Sequence, residues 1–207
     1  MARRGGRHAA VPERIGVFGG TFDPPHLGHL ALAEWAREEL GLDRVLFVPA
    51  GVPPHKRTAR SSPARRLAMT RLAVRGNSAF RAEPLETRRR GPSYTVDTLR
   101  ALAARHPGAK LWLLVGADTY ATIAEWREPA EIARLASVAV AARPGAPRAR
   151  RAAWTRGGRV RWLGNPALDV SSSAVRDRAR AGRSLRYLVP ASVAGYIEAH
   201  GLYRRNA

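Results

Sequence analysis

Apolar runs short enough to be strands alternate along this chain with longer helical runs. Such alternation is typical of a parallel sheet with helices packed on both faces, so the sequence predicts an α/β fold, a Rossmann-like open parallel sheet. The predicted strands are residues 15–18, 45–48, 80–82, 111–115, 138–142 and 160–163. The predicted helices are residues 27–40, 63–74, 95–105, 129–135, 173–181 and 192–200.

The length and the apolar content indicate one globular domain. With 207 residues, of which 45% are hydrophobic, the chain can bury a core of ordinary size. We expect the domain to span residues 15–207 after a disordered tail at residues 1–14. We expect residues 143–158, which are rich in Arg, Ala, Pro and Gly, to form a loop or a weak helix and to be the most mobile segment.

The same composition bears on the cellular compartment. The basic start lacks the apolar core of a signal peptide, and no apolar stretch is long enough for a membrane span. There is no cysteine, so disulfides and thiolate chemistry are not expected. We therefore expect a cytoplasmic protein.

The clearest sign of chemistry follows the first strand. Residues 19–29 read Gly-Gly-Thr-Phe-Asp-Pro-Pro-His-Leu-Gly-His. We expect Gly19 and Gly20 to adopt φ values closed to other residues and to let the backbone approach a phosphate. His26 and His29, three residues apart, share one face of the first turn of a helix, and Gly28 leaves room for a ligand between them. Because a helix N-terminus favours anions, the segment predicts a site for nucleotide phosphates.

Two further segments place polar side chains next to predicted elements. Pro53-Pro54-His55-Lys56 follows the second strand, and its lysine is one of only two in the chain. Gly91-Pro92-Ser93-Tyr94-Thr95 opens a helix, for which Ser93 or Thr95 is a reasonable N-cap. The N-terminus of that helix would suit a carboxylate for the same reason that it would suit a phosphate.

Polar residues also follow the strand at 111–115 and precede the helix at 173–181. Asp118 and then Trp126 come after that strand, at the edge where ligands bind in open α/β sheets. Val170-Ser171-Ser172-Ser173-Ala174-Val175-Arg176 offers hydroxyls for the first N–H groups of a helix. We expect Arg176 in the first turn, where the helix dipole disfavours a cation and a bound polyphosphate would remove the conflict.

These five segments together resemble a known family. The first resembles the signature of the HxGH nucleotidyltransferase superfamily. All five, in this order and spacing, resemble the bacterial nicotinate-nucleotide adenylyltransferases over most of the chain. The resemblance implies a sheet of the nucleotidyltransferase type. It also implies transfer of AMP from ATP to nicotinate mononucleotide, giving nicotinate adenine dinucleotide and pyrophosphate in NAD biosynthesis. Ser173 stands where the family has threonine, which keeps the hydroxyl.

The resemblance also implies roles for individual residues. His26, His29 and Arg176 would be the catalytic residues that hold the phosphates of ATP. ATP would further be bound by Gly19, Gly20, Thr21, Phe22, Gly28, Asp118, Ser172 and Ser173. The mononucleotide would be bound by His55, Lys56, Thr95 and Trp126. Mg²⁺ would arrive with ATP, held mainly by phosphate oxygens and water, and no metal site of the protein's own is expected.

The net charge of +20 is typical of nucleic-acid-binding proteins, which are a second class to consider. The arginines are scattered and do not interleave with aromatic residues, which disfavours a platform for single strands. ATP and an anionic mononucleotide would account for part of the positive charge. The alternatives left open are a sister adenylyltransferase for nicotinamide mononucleotide or phosphopantetheine, and a non-catalytic basic nucleic-acid-binding protein on the same fold. The residues also leave open a homo-oligomer.

Overall fold

The computed structural model describes residues 11–53, 59–142, 159–166 and 168–204. Six strands of this part form one sheet: β1 (Arg14–Gly20), β2 (Arg44–Pro49), β3 (Phe80–Ala82), β4 (Lys110–Gly116), β5 (Ala136–Ala141) and β6 (Val160–Trp162). Its α-helices are α1 (Leu27–Leu40), α2 (Pro63–Val74), α3 (Leu85–Arg88), α4 (Thr95–Arg105), α5 (Ala117–Thr122), α6 (Pro129–Leu135), α7 (Ser172–Arg180) and α8 (Ala191–Ala199). A 3₁₀ turn at Ile123–Glu125 follows α5.

The strand order is β3-β2-β1-β4-β5-β6, and every neighbouring pair is parallel. The order therefore reverses between β1 and β4. These two strands pair only as far as Val17 and Leu113, although they run on to Gly20 and Gly116. Because ligands of open α/β sheets bind where the order reverses, at the carboxyl ends of the strands, this edge is the expected position of a site.

Helices cover both faces of the sheet, as the sequence predicts. Successive strand residues point to opposite faces, so Val17 and Leu113 contribute to one core, and Phe47 and Leu114 to the other. Helices α4 and α6 close the first core, and α1 closes the second. A third apolar cluster joins α2, α7 and α8. This third cluster holds the end of the chain against the side of the domain.

The predicted strands and helices are confirmed, and their bounds differ from the observed bounds by at most two residues. Helices α1, α2, α4 and α6 and strand β3 have the predicted bounds, whereas the other predicted elements differ by one or two residues at one or both ends. Helices α3 and α5 and the 3₁₀ turn were not predicted, because segments this short show no helical period.

The structure describes part of the predicted tail and none of the predicted segment at residues 143–158. Arg14, the last residue assigned to the tail, is instead the first residue of β1. Residues 1–10 and the predicted loop at 143–158 lie outside the described residues. In the described part of the chain, no helix combines the length and apolar content that a bilayer crossing requires.

Candidate active site

The two histidines lie together at the start of α1. His26 is the N-cap of α1 and is only 4% exposed, whereas His29 is half-buried. Their rings stack with centroids 3.6 Å apart, which confirms that they share a face. Nδ1 of His29 accepts a hydrogen bond of 3.1 Å from the backbone N–H of His26. In a neutral His29 imidazole, the proton is therefore on Nε2, which makes that atom a donor.

Gly28 makes room for a histidine ring. A Cβ at Gly28 would lie 3.1 Å from Nδ1 of His26 and 3.7 Å from the carbonyl oxygen of Val170. The space next to Gly28, which the sequence predicts to be available to a ligand, is therefore bordered by the His26 side chain. The backbone N–H of Leu27 donates to the carbonyl of Leu188 at 2.9 Å, so part of this helix N-terminus binds the protein's own chain.

The carboxyl end of β1 is exposed at Gly19. Gly19 is exposed, and a Cβ there would meet no atom within 4 Å. Neither Gly19 nor Gly20 has a positive φ, so the expectation of a special backbone conformation at these glycines is wrong. The positive φ of 49° belongs to Phe22, whose ring is 2% exposed and lies 5.5 Å from that of Phe18. The Phe22 ring is thus part of the core, and only its backbone could face a nucleotide.

Helix α7 is attached to the loop after β1 through two predicted phosphate-binding residues. Oγ of Ser172 donates to the carbonyl of Pro24 at 2.8 Å, and Nη1 of Arg176 donates to the carbonyl of Asp23 at 2.8 Å. Nη2 of Arg176 also donates to Oγ of Ser173 at 3.0 Å. Because α7 begins at Ser172, Arg176 is its fifth residue, and its predicted place in the first turn is wrong. The expected conflict with the helix dipole is weaker there, since the effect fades within the first turn.

Asp23 holds this loop in place through its side-chain carboxylate. Its carboxylate is 2% exposed, and Oδ2 accepts hydrogen bonds from the backbone N–H groups of Arg60 at 2.6 Å and Ser61 at 3.2 Å. Oδ1 accepts a hydrogen bond of 2.6 Å from the Tyr203 phenol. Burial, with the hydrogen bond to Asp23 adding to it, raises the pKa of Tyr203 well above its usual range. The phenol therefore stays protonated and remains a donor.

Arg66 is a buried cation next to the same loop. Its side chain is 1% exposed, and the guanidinium donates to three backbone carbonyls. These are Thr21 at 2.9 Å from Nη1, Gly51 at 2.9 Å from Nη2 and Ser61 at 3.2 Å from Nε. Burial lowers the pKa of Arg66 below its ordinary range, and the charge of Asp23 opposes that effect.

Gly51 joins Arg66 to the segment in front of α4. Its backbone N–H donates to Oγ of Ser93 at 2.9 Å, and the N–H of Ser93 donates to the carbonyl of Val52 at 2.9 Å. A Cβ on Gly51 would lie only 2.3 Å from the carbonyl oxygen of Glu86, so only glycine fits. The Glu86 carboxyl accepts from Oγ1 of Thr98 at 2.6 Å. Burial raises the pKa of Glu86, and the hydrogen bonds from Thr98 and Ser93 oppose that effect.

Thr95 is the first residue of α4, at the N-terminus of that helix. The N-cap is Tyr94, so the predicted cap at Ser93 or Thr95 is wrong, because the Ser93 hydroxyl is bonded elsewhere. The guanidinium carbon of Arg127 lies 5.0 Å from the centroid of the Tyr94 ring, a cation–π contact. Trp126, next to Arg127, is half-buried against the core. This contact brings the segments of Thr95 and Trp126 together.

The remaining predicted site residues are only partly described. Asp118 is an exposed residue at the start of α5, directly after the carboxyl end of β4. His55 and Lys56 lie outside the described residues.

Sequence reasoning assigned no role to Asp23, Arg66 or Tyr203. For Arg66 a signal existed, because it shares the face of α2 that carries the buried Met69 and Ala73, at helical spacing. An arginine on an apolar helix face requires buried partners. Tyr203 gave no comparable signal, since its partner Asp23 lies far away along the chain.

Comparison with known proteins places the chain in a family. The family model described as cytidylyltransferase-like matches residues 17–178. A protein of Salinibacter ruber, named "Probable nicotinate-nucleotide adenylyltransferase", is 45% identical over 197 residues, which cover 92% of this chain and 97% of that protein. A protein of Thermus thermophilus with the same name is 46% identical over 191 residues, with 92% and 100% covered.

Solved structures show the same fold. The nicotinic acid mononucleotide adenylyltransferase of Plasmodium falciparum, complexed with NaAD, matches with a TM-score of 0.77 at 17% identity and covers 92% of this chain and 97% of its own. A putative nicotinate-nucleotide adenylyltransferase of Vibrio parahaemolyticus matches with a TM-score of 0.68 at 19% identity, with 94% and 97% covered. The predicted fold class and the resemblance drawn from the motifs are both confirmed. This chain belongs to the cytidylyltransferase-like family and, within it, to the nicotinate-nucleotide adenylyltransferases.

Proposed function

We propose that this chain transfers AMP from ATP to nicotinate mononucleotide and releases pyrophosphate. Family membership supports the reaction. One observation in the structure carries it: the stacked His26 and His29 and the guanidinium of Arg176 converge on the loop after β1, beside the strands between which the sheet order reverses. The first turns of α1 and α7 contain no acidic residue, so both helix N-termini suit polyphosphate.

The reaction needs alignment and charge stabilisation. A phosphate oxygen of the mononucleotide attacks the α-phosphorus of ATP and forms a new P–O bond. The bond from that phosphorus to the oxygen bridging to the β-phosphate breaks, and its electron pair leaves with pyrophosphate. The attacking oxygen is already ionised at neutral pH, so no side chain has to remove a proton. The protein therefore contributes positioning and donors for the developing negative charge.

We assign the donors as follows. His26 and His29 hold the α- and β-phosphates, with Nε2–H of His29 directed by the hydrogen bond at its other nitrogen. Arg176, with Ser172 and Ser173, binds the β- and γ-phosphates. The backbone at Gly19, Gly20, Thr21, Phe22 and Gly28 lines the nucleotide, and Asp118 binds a ribose hydroxyl.

The mononucleotide lies on the opposite side of the crevice in this proposal. The N-terminus of α4 at Thr95 receives the nicotinate carboxylate, for which a helix N-terminus is suited. The Trp126 ring stacks on the pyridine, with its other side against the core. His55 and Lys56 bind the phosphate of the mononucleotide.

In this scheme Mg²⁺ would arrive bound to ATP and would supply positive charge that offsets the charge of the phosphates. The described donors at the phosphate side are imidazole, guanidinium and hydroxyl groups. These groups would bind some of the phosphate oxygens, and the remaining phosphate oxygens would be available to a hard cation such as Mg²⁺. Residues 11–53, 59–142, 159–166 and 168–204 contain no group of three or more His, Asp or Glu side chains placed to hold a metal. We further propose a cytoplasmic location, where ATP and Mg²⁺ are supplied.

The test is a substrate comparison. The purified protein is incubated with ATP and Mg²⁺, with nicotinate or nicotinamide mononucleotide in parallel, and pyrophosphate release is measured. We expect strong preference for the acid. Release with the amide alone would overturn the substrate, and release with phosphopantetheine alone would indicate the other sister transferase. No turnover together with salt-sensitive retention on heparin would support the basic binding protein instead.

A further inference from the structure

Arg66 contacts the loops that follow two neighbouring strands, β1 and β2. Its Nη1 donates to Thr21, in the loop that leads to His26, and its Nη2 donates to Gly51, in the loop after β2. Both hydrogen bonds are 2.9 Å long, and the side chain is 1% exposed. The Gly51 bond is buried and the Thr21 bond is partly buried, so water does not readily replace a lost donor and the guanidinium fixes the separation of the two carbonyls.

The connection continues from Gly51 to the segment before α4. The N–H of Gly51 donates to Oγ of Ser93 at 2.9 Å, two residues before Thr95. Gly51 is also wedged against the backbone of Glu86, since a Cβ there would be 2.3 Å from the Glu86 carbonyl oxygen. A displacement of Gly51 would therefore be passed to Ser93. One uninterrupted set of hydrogen bonds runs from Thr21 through Arg66 and Gly51 to Ser93.

We propose that Arg66 is a positioning residue that sets the distance between the ATP side and the mononucleotide side of the site. It acts through the Thr21 and Gly51 carbonyls and touches neither substrate. The inference rests on the proposed function, because it assigns the two loops to the two substrates. Its consequence concerns the attack itself, since the oxygen of one substrate must line up with the phosphorus of the other.

The arginine side chain is specifically suited to this task. A guanidinium is a planar fork with separate N–H groups, so it can donate to Thr21, Gly51 and Ser61 at once. A lysine would keep the buried charge but present a single nitrogen, which cannot replace donors spread over the fork. Arg66→Lys therefore separates the geometric role from the presence of charge.

The proposal predicts a particular kinetic signature. Each substrate still meets its own loop in Arg66→Lys, so the KM for ATP and the KM for nicotinate mononucleotide should each change less than about threefold. The alignment of the reacting atoms is lost, and a displacement of about 1 Å can lower turnover about 100-fold, so kcat should fall by that order. A merely structural role would lower the melting temperature and leave kcat unchanged below it.

The control is Arg71→Lys, an exposed arginine in the same helix. Pyrophosphate release is measured for the wild type, the control and Arg66→Lys at a temperature where all three are folded by circular dichroism. If the wild type and the control are inactive, the proposed function fails. If they are active and Arg66→Lys keeps its kcat, or loses only the affinity for one substrate, the inference about Arg66 is overturned.

A second variant decides the matter if Arg66→Lys does not fold. Ser93→Ala removes the partner of the Gly51 N–H at the far end of the same connection, and with it the hydrogen bond from Ser93 to the Glu86 carboxyl. We expect a lower kcat, by about tenfold, with both KM values changed less than threefold, since one link is lost and the others remain. An unchanged kcat in folded Ser93→Ala would overturn the proposal.

Discussion

The Tyr203 phenol donates a hydrogen bond of 2.6 Å to Oδ1 of Asp23, a residue 180 positions earlier in the chain. The bond ties the C-terminal segment to the loop that carries the first histidine. Oγ of Ser61 donates to the same phenol at 3.2 Å, so three distant segments meet at one buried carboxylate. The end of the chain is thereby part of the support of the candidate active site.

Tyr203→Phe is expected to destabilise the fold. The ring remains, but the buried Oδ1 of Asp23 loses its donor, which costs about 1–3 kcal/mol in the free energy of unfolding. Urea denaturation measures the loss. The matched control is Tyr187→Phe at a side chain that is 87% exposed, where the change should stay within about 0.5 kcal/mol. Equal stability of the two variants would refute a structural role for the Tyr203 hydroxyl.

His29→Ala is expected to impair turnover more than binding. Loss of the Nε2–H donor removes stabilisation of charge that develops on the departing pyrophosphate, and one such donor contributes about 100- to 1000-fold to kcat. The KM for ATP should change far less. Steady-state pyrophosphate release measures both quantities, with the exposed His200→Ala as the control. Unchanged turnover in His29→Ala would remove this histidine from the mechanism.

Two glycine substitutions should behave in opposite ways. A Cβ at Gly28 presses on the His26 ring at 3.1 Å, so Gly28→Ala should lower kcat while the protein stays folded. Gly195 is an exposed residue inside α8, and a Cβ there would meet nothing within 4 Å. Gly195→Ala should therefore raise the free energy of unfolding by about 0.5–1 kcal/mol and leave turnover unchanged. Full activity of Gly28→Ala would show that the ring position is not critical.

The sequence was sufficient for features that neighbouring residues decide. Helix α1 begins directly after His26 because two prolines precede it and exclude an earlier start. The stacking of His26 and His29 follows from their spacing on a helix. The α/β architecture follows in the same way from the alternation of apolar runs.

Features decided by distant partners could not be predicted. Ser93 is a good N-cap residue by type, yet its hydroxyl accepts from Gly51, 42 positions away, and Tyr94 takes the N-cap position instead. The positive φ of Phe22 depends on the aromatic cluster that buries its ring, which no local pattern reveals. The contacts of Arg66 likewise join loops that only the folded sheet brings together.

Glu86 should make stability depend on pH. Burial raises its pKa above the ordinary 4.5, so the folded chain keeps this proton to a higher pH than the unfolded chain does. Between 4.5 and the folded pKa, the folded state binds more protons, and the free energy of unfolding falls as the pH rises. Glu86→Gln removes that titration while its amide oxygen can still accept from Thr98.

We therefore expect Glu86→Gln to be more stable than the wild type at neutral pH, with a flatter dependence of stability on pH above 4.5. Urea denaturation across that range measures both effects. Glu125→Gln, at an exposed position, is the control and should follow the wild-type curve. A glutamine variant that is less stable than the wild type at neutral pH would mean that the buried charge is favoured. In that case the hydrogen bonds from Thr98 and Ser93 would outweigh the cost of burying the Glu86 carboxylate.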